Sequence, residues 1–213
     1  MSQVNLTRYI SRTVPPAHGA TLNATENTFA IHGYGKVSSW IDLVNSEEWD
    51  GFGKLSDRLD EPAWRDAFLR HWRFQPSSRE KTPLSALRAM RRLLRGIAQS
   101  LAAGHTPGAK EVAQLNAAMS VPGREQLIQH QNSCRTEFQP VRSGSDWGWI
   151  LSRIAASAAD AIVAGAAGRV RICANDDCRW AFRDPTKAGT KRWCSDRTCG
   201  NRDRVRRARA AAR

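Results

Sequence analysis

Cys173, Cys178, Cys194 and Cys199 fall as two pairs, with four residues inside each pair and fifteen between them. A chain built this way has to bring two tight turns together, since each turn offers two sulfurs to a single point. The spacing points to a closed four-cysteine zinc site that folds the chain and leaves no open position for a substrate water. Disulfides are the competing use of paired cysteines, and composition argues against them. Five cysteines in 213 residues are too sparse for a crosslinked scaffold. The opening segment MSQVNLTRYISRTVPPAHGA lacks the apolar run of a secretory signal, and no stretch reaches about 18 uninterrupted apolar residues. A reducing, cytoplasmic setting without a membrane partner is the expectation, and one structural zinc ion the expected cofactor. Cys134 lies far from the cluster and reads as an ordinary thiol.

Charge is distributed unevenly. The chain carries a formal +13, of which residues 169–213 hold +9, from fourteen Lys and Arg against five Asp. A cationic module on a nearly balanced body is the footprint of a polyanion binder. Within the module, if the segment from about Gly200 is helical, Arg202, Arg206, Arg209 and Arg213 recur at intervals of four, three and four and share one stripe. Arg204 and Arg207 flank it. Val205, Ala208 and Ala212 fall on another face, expected to rest on the metal knuckle. A solvated basic tail is the plain alternative.

The string CGNR at Cys199, Gly200, Asn201 and Arg202, with the preceding CANDDCRWAFRDPTKAGTK and RWCSDRT, resembles the CGNR zinc-finger family of bacterial stress-response transcription regulators. The four cysteine ligands of that family fall on Cys173, Cys178, Cys194 and Cys199. Upstream, SSWIDLVNSEEWDG (38–51) is similar to the start of the helical, stress-sensing domain that accompanies this finger. The resemblance implies a DNA-binding regulator.

The finger reads as a short strand RVRIC, a first knuckle, then Trp180 and Phe182 at strand spacing, a DPTKAG turn and a return at Lys191 to Trp193. A helix carrying the last two ligands would complete a treble-clef-like order. Trp180 and Trp193 would pack over the zinc, or else stack unpaired bases. Lys191 and Arg192 add candidate backbone contacts, as do Arg179 and Lys187.

The rest reads mainly helical. Thr82 and Pro83 give an N-cap and first-turn proline; Leu84, Leu87, Met90, Leu94, Ile97 and Leu101 follow at helical spacing up to Gly104. Arg88, Arg91, Arg92 and Arg95 form a basic stripe on that helix, expected at solvent, with contact to nucleic acid or an acidic ligand as the alternative. Residues 109–120 make a second helix; Leu127 to Val141 looks extended, with Asn132 and Ser133 as a hairpin turn. A third helix runs from Asp146, the expected N-cap, through Trp147, Ile150 and Ile154 to Gly165 and Gly168. The small AGAAG stretch there suits a boundary at which motion of this helix would reposition the finger. Six tryptophans, Trp40, Trp49, Trp64, Trp72, Trp147 and Trp149, supply core or line an effector pocket; Asp42, Asn45, Glu47 and Glu48 nearby serve as caps, surface or pocket groups.

Catalysis finds no support. His18, His32, His71, His105 and His130 are isolated, and no nucleophile elbow, phosphate loop or dinucleotide fingerprint is present. The fold class expected is mainly α (α+β): a helical, candidate ligand-sensing domain over 1–168 and a treble-clef-like four-cysteine finger over 169–213. The function expected is zinc-dependent binding of duplex DNA, as a homodimer, by a transcription regulator under a small-molecule effector. The expected contacts are Asn201, Arg202, Arg204, Arg206, Arg207, Arg209, Arg213, Lys191 and Arg192. An RNA-binding or ribosome-associated protein and a protein-interaction module are the alternatives.

Overall fold

The computed structural model describes residues 38–76, 81–120, 123–130, 133–140, 146–165 and 169–212, and within 123–146 the backbone alone. Arg213, Asn132, Gly168, His18 and His32, together with the side chains of Cys134 and His130, lie outside what it describes. The chain is mostly helical, with three two-stranded antiparallel sheets among the described residues.

The organising element is α3 (Leu84–Ala102). Leu87, Met90, Leu94, Ile97 and Leu101 recur at helical spacing and are buried. The helix starts one residue later than Thr82 and Pro83 suggest. Pro83 itself occupies the cap position, without a side-chain bond, and Leu84 donates its N–H to Thr82 O at 2.9 Å. At the other end Gly104 takes φ of 80°, which lets Gly104 bond back to Leu101 O and His105 to Ser100 O. This double closure consumes two orphan carbonyls and needs a residue free of Cβ strain.

Against α3 lies α1 (Ser39–Asn45), all seven of whose residues are buried. It is also covered by α5 (Asp146–Val163), where Ala155 and Ala158 permit close approach. Ser157 Oγ on α5 meets Ser39 Oγ at 2.9 Å and accepts from Trp40 N at 3.3 Å, so the start of α1 is held by a neighbouring helix. Asp146 is the first helical residue of α5 rather than its cap. The helical body also contains β1 (Glu47–Trp49) paired with β2 (Leu55–Asp57), then α2 (Pro62–His71), α4 (Ala109–Met119) and the hairpin of β3 (Gly123–His130) with β4 (Ser133–Pro140). That hairpin starts four residues before Leu127, and its last pair is His130 with Ser133. Ser133 is therefore in the strand rather than the turn.

The arginine stripe of α3 turns inward. Asp57 accepts both terminal nitrogens of Arg91, at 2.6 and 3.0 Å, and Arg88 Nε at 2.9 Å. Arg91 also reaches Ser46 Oγ, and Arg88 reaches Asp60. Arg95 donates to Val44 O and to Arg179 O, each at 2.9 Å. Only Arg92 of the four is exposed. Burial alone would raise the Asp57 carboxyl, but the hydrogen bonds from Arg91 and Arg88 outweigh it and hold the group at about 2.

Trp40, Trp64 and Trp147 are core residues, while Trp49, Trp72 and Trp149 are half-buried. The gap lined by Leu43, Leu59, Trp64, Phe68, Leu87 and Trp147 has a volume of about 10 Å³. That is room for one water at most, not for a flat effector.

On α1, Asp42 accepts Trp72 Nε1 at 2.9 Å. Burial pushes its carboxyl up to about 7, and the indole bond offsets this only in part. Between the unfolded value of 3.8 and about 7 the folded chain holds a proton that the unfolded chain has released. Stability should therefore fall as pH rises through that window. Asp42→Asn keeps an oxygen for the indole and removes the titration. Urea unfolding at several pH values should show a flattened profile for the variant; a profile identical to wild type would remove Asp42 as the source.

Candidate metal centre and basic helix

The finger begins with β5 (Val170–Ile172), paired antiparallel with β6 (Ala181–Arg183) so that Ile172 faces Ala181. The first cysteine pair sits in the loop joining them. Cys173 N donates to Trp180 O and Cys178 N to Asn175 O, both at 2.8 Å, which folds the loop into a knuckle. The strands thus pair across the knuckle. The expected hairpin at DPTKAG does not form, and Lys191 to Trp193 is not a strand. A buried carboxylate explains the difference: Asp184 accepts Thr186 N at 2.9 Å, Thr186 Oγ1 at 2.6 Å and Lys191 N at 2.7 Å, gathering the segment into a loop.

The second pair is Cys194 and Cys199. Cys199 lies in the turn Asp196–Gly200, where Gly200 N reaches five residues back to Ser195 O and Ser195 Oγ accepts Thr198 N. All four sulfurs are buried and lie within 4.8 Å of one another. Cys194 Sγ is 3.7 Å from both Cys178 Sγ and Cys199 Sγ. A tetrahedron with zinc–sulfur bonds of about 2.3 Å has edges of about 3.8 Å, whereas a disulfide needs about 2.05 Å. The four thiols fit one zinc ion.

Two N–H groups already point at these sulfurs. Cys194 N donates to Cys173 Sγ at 3.5 Å and Asn175 Nδ2 to Cys199 Sγ at 3.7 Å. In the hydrogen-bonded thiol cluster, contact with Cys178 lowers Cys173, and contact with Cys173 lowers Cys199. Contact with Cys173 raises both Cys178 and Cys194. A divalent cation is what lets all four ionise together. Phe182 is buried on the cluster and Trp180 and Trp193 cover it in part. Gly200 completes the packing: a Cβ there would stand 3.4 Å from Trp193 Cε3.

A model of the ABATE family, described as "putative stress-induced transcription regulator", matches residues 38–165, and one of the CGNR zinc finger matches 169–212. The chain belongs to the ABATE family. No curated protein matches it. This ABATE chain therefore pairs a regulator-type helical region with a zinc-binding finger. Among its described residues no helix is long and apolar enough to cross a membrane.

From the finger, α6 (Asn201–Ala211) extends with no buried residue. Its apolar side does not rest on the knuckle as periodicity suggests, and Val205 is 42% exposed. Asn201 is exposed and is the first residue of α6; its backbone N–H closes the preceding turn onto Thr198 O, and no side-chain cap bond holds the start of the helix. The exposed Arg206 and Arg207 share the half-buried Asp203, at 3.1 and 3.0 Å. Arg204 donates to Asp196 O. Arg209 is exposed, with no ion-pair partner among the described residues. Lys191 Nζ lies 3.3 Å from Asp196, and the exposed Arg192 stacks over Trp193 at 5.0 Å. Arg202 differs from these. It is half-buried, with its guanidinium over the Phe52 ring.

Sequence reasoning missed the contacts that join the finger of this ABATE chain to the helical body. Asn45 Nδ2 donates to Ala181 O and Ala181 N donates to Asn45 Oδ1, both at 2.8 Å and buried. Val170 and Ala181 belong to the same hydrophobic cluster as α1, α3 and α5. Spacing holds no trace of a partner 136 residues away.

Proposed function

We propose that the protein is a zinc-dependent transcription regulator whose finger helix binds duplex DNA. The observation that carries the reading is α6 itself, an eleven-residue helix with five arginines, one aspartate and no buried residue, rooted beside the metal ligand Cys199. A helix of that polarity gains nothing from the core and has a polyanion as its natural counterpart. Arg206 and Arg209 share one face for groove or phosphate contact, and Arg213 continues their spacing in the sequence. Asn201, Arg204 and Arg207, with Lys191 and Arg192 on the preceding loop, reach flanking phosphates. Both arginines paired with Asp203 are exposed at the surface, so they exchange readily to phosphate. One finger covers little DNA, so a homodimer on paired half-sites supplies the area that specific recognition needs. An effector would act through the helical region.

The test is fluorescence-anisotropy competition with zinc-loaded protein at about physiological salt. A duplex from the gene's own upstream region should beat scrambled duplex and RNA by about a thousandfold. Arg209→Ala should weaken every duplex and reduce the salt slope by about one. Preference for RNA, or equal binding of all competitors, would overturn the reading.

A further inference from the structure

The turn between β1 and β2 meets the start of α6 in a clasp that DNA binding leaves unused. Asp50 Oδ1 closes the turn by accepting Phe52 N at 2.7 Å and Lys54 N at 3.1 Å. Gly51, at φ of 81°, donates its N–H to Asp177 O in the first knuckle at 2.9 Å. Arg202 occupies the space beside it, so that a Cβ on Gly51 would lie 1.7 Å from Arg202 Nη1. The same guanidinium stands 4.1 Å from the Phe52 ring centroid, and its Nη1 donates to Asp50 O at 3.4 Å. One step along β1, Arg179 stacks over Trp49 at 4.6 Å. Phe52 is 76% exposed, so core packing does not explain where its ring stands; the stack on Arg202 does.

We infer that Arg202 is a positioning residue: held between Phe52 and Gly51, it sets the direction in which α6 leaves the finger relative to the helical body, and Arg206 and Arg209 reach the nucleic acid. The consequence for affinity rests on the DNA-binding reading; the clasp rests on its own contacts. Arg202 lies one turn before Arg206 on the same face, so fixing its guanidinium fixes the phase of the arginines beyond it. A planar stack with a carbonyl bond is not reproduced by lysine.

The experiment compares Phe52→Ala, Arg202→Ala, Arg202→Lys and the double variant Phe52→Ala/Arg202→Ala, each checked for zinc content. Against the upstream duplex each single variant should bind about fivefold more weakly, with the salt slope of the wild type. The double variant should be no worse than either alone, because both remove one contact. Without DNA, hydrogen exchange should speed up at residues 50–54 and 201–206 in Phe52→Ala and in Arg202→Ala. A silent Phe52→Ala, with Arg202→Lys binding as wild type and Arg202→Ala losing one unit of slope, would make Arg202 a phosphate contact and overturn the inference. Unchanged exchange in both variants would overturn it as well. Should the wild-type protein prefer no duplex, the proposed function fails, and the exchange arm still decides the clasp.

Discussion

Cys194→Ser should leave the protein unable to hold zinc through dialysis against a weak chelator. Cys194 is the sulfur that stands 3.7 Å from two other ligands, and it is 1% exposed. A serine hydroxyl is a poor zinc ligand, so affinity should fall by more than about a hundredfold, beyond the loss typical of outer contacts. Structural zinc in finger peptides contributes on the order of 10–16 kcal/mol, and most of that is folding free energy. The three remaining thiols then crowd a buried site without a cation. Metal analysis should give close to one zinc per wild-type chain and almost none in the variant. The tryptophan signal should report loss of the Trp180 and Trp193 packing. Stoichiometric zinc of wild-type affinity in Cys194→Ser would refute a four-thiolate centre.

Asn45→Ala is the second large effect. The amide makes a two-way bridge to the backbone of Ala181, and alanine leaves a buried N–H and a buried C=O unpaired. Each such loss costs about 1–3 kcal/mol, so a total of about 2–6 kcal/mol is expected in urea unfolding. The midpoint should shift with little change of slope, since the surface exposed on unfolding is the same. Asn45→Asp keeps the acceptor for Ala181 N–H but sets a carboxylate against Ala181 O, and should be no more stable than the alanine variant. A change below about 0.5 kcal/mol for Asn45→Ala would show that water replaces the bridge.

What can be read from residues alone follows the range of each signal. The metal ligands and the α3 core rest on spacings of a few residues, and both appear where the spacing puts them. The inward turn of the α3 arginines is not legible, because their partner Asp57 lies 31 and 34 residues upstream with nothing in the intervening pattern to announce it. The face of α6 containing Val205 has the same periodicity whether it is docked or bare. Only the absence of any described surface over it in three dimensions makes it bare. The loop at Asp184 escapes for a different reason: a segment containing Pro and Gly supports both a tight hairpin and a carboxylate-gathered loop, and the choice lies in bonds to Thr186 and Lys191.

The shared cluster around Val170 and Ala181 also governs the order of assembly during synthesis. Helices α1, α3 and α5 leave the ribosome before the two residues that complete their packing, and those residues flank the first zinc ligands. The nascent body is therefore expected to keep an apolar gap until the finger folds onto it. A shortage of zinc should then prolong the time that an unfinished core stays open to chaperones and proteases, and lower the amount of protein before it touches any binding event.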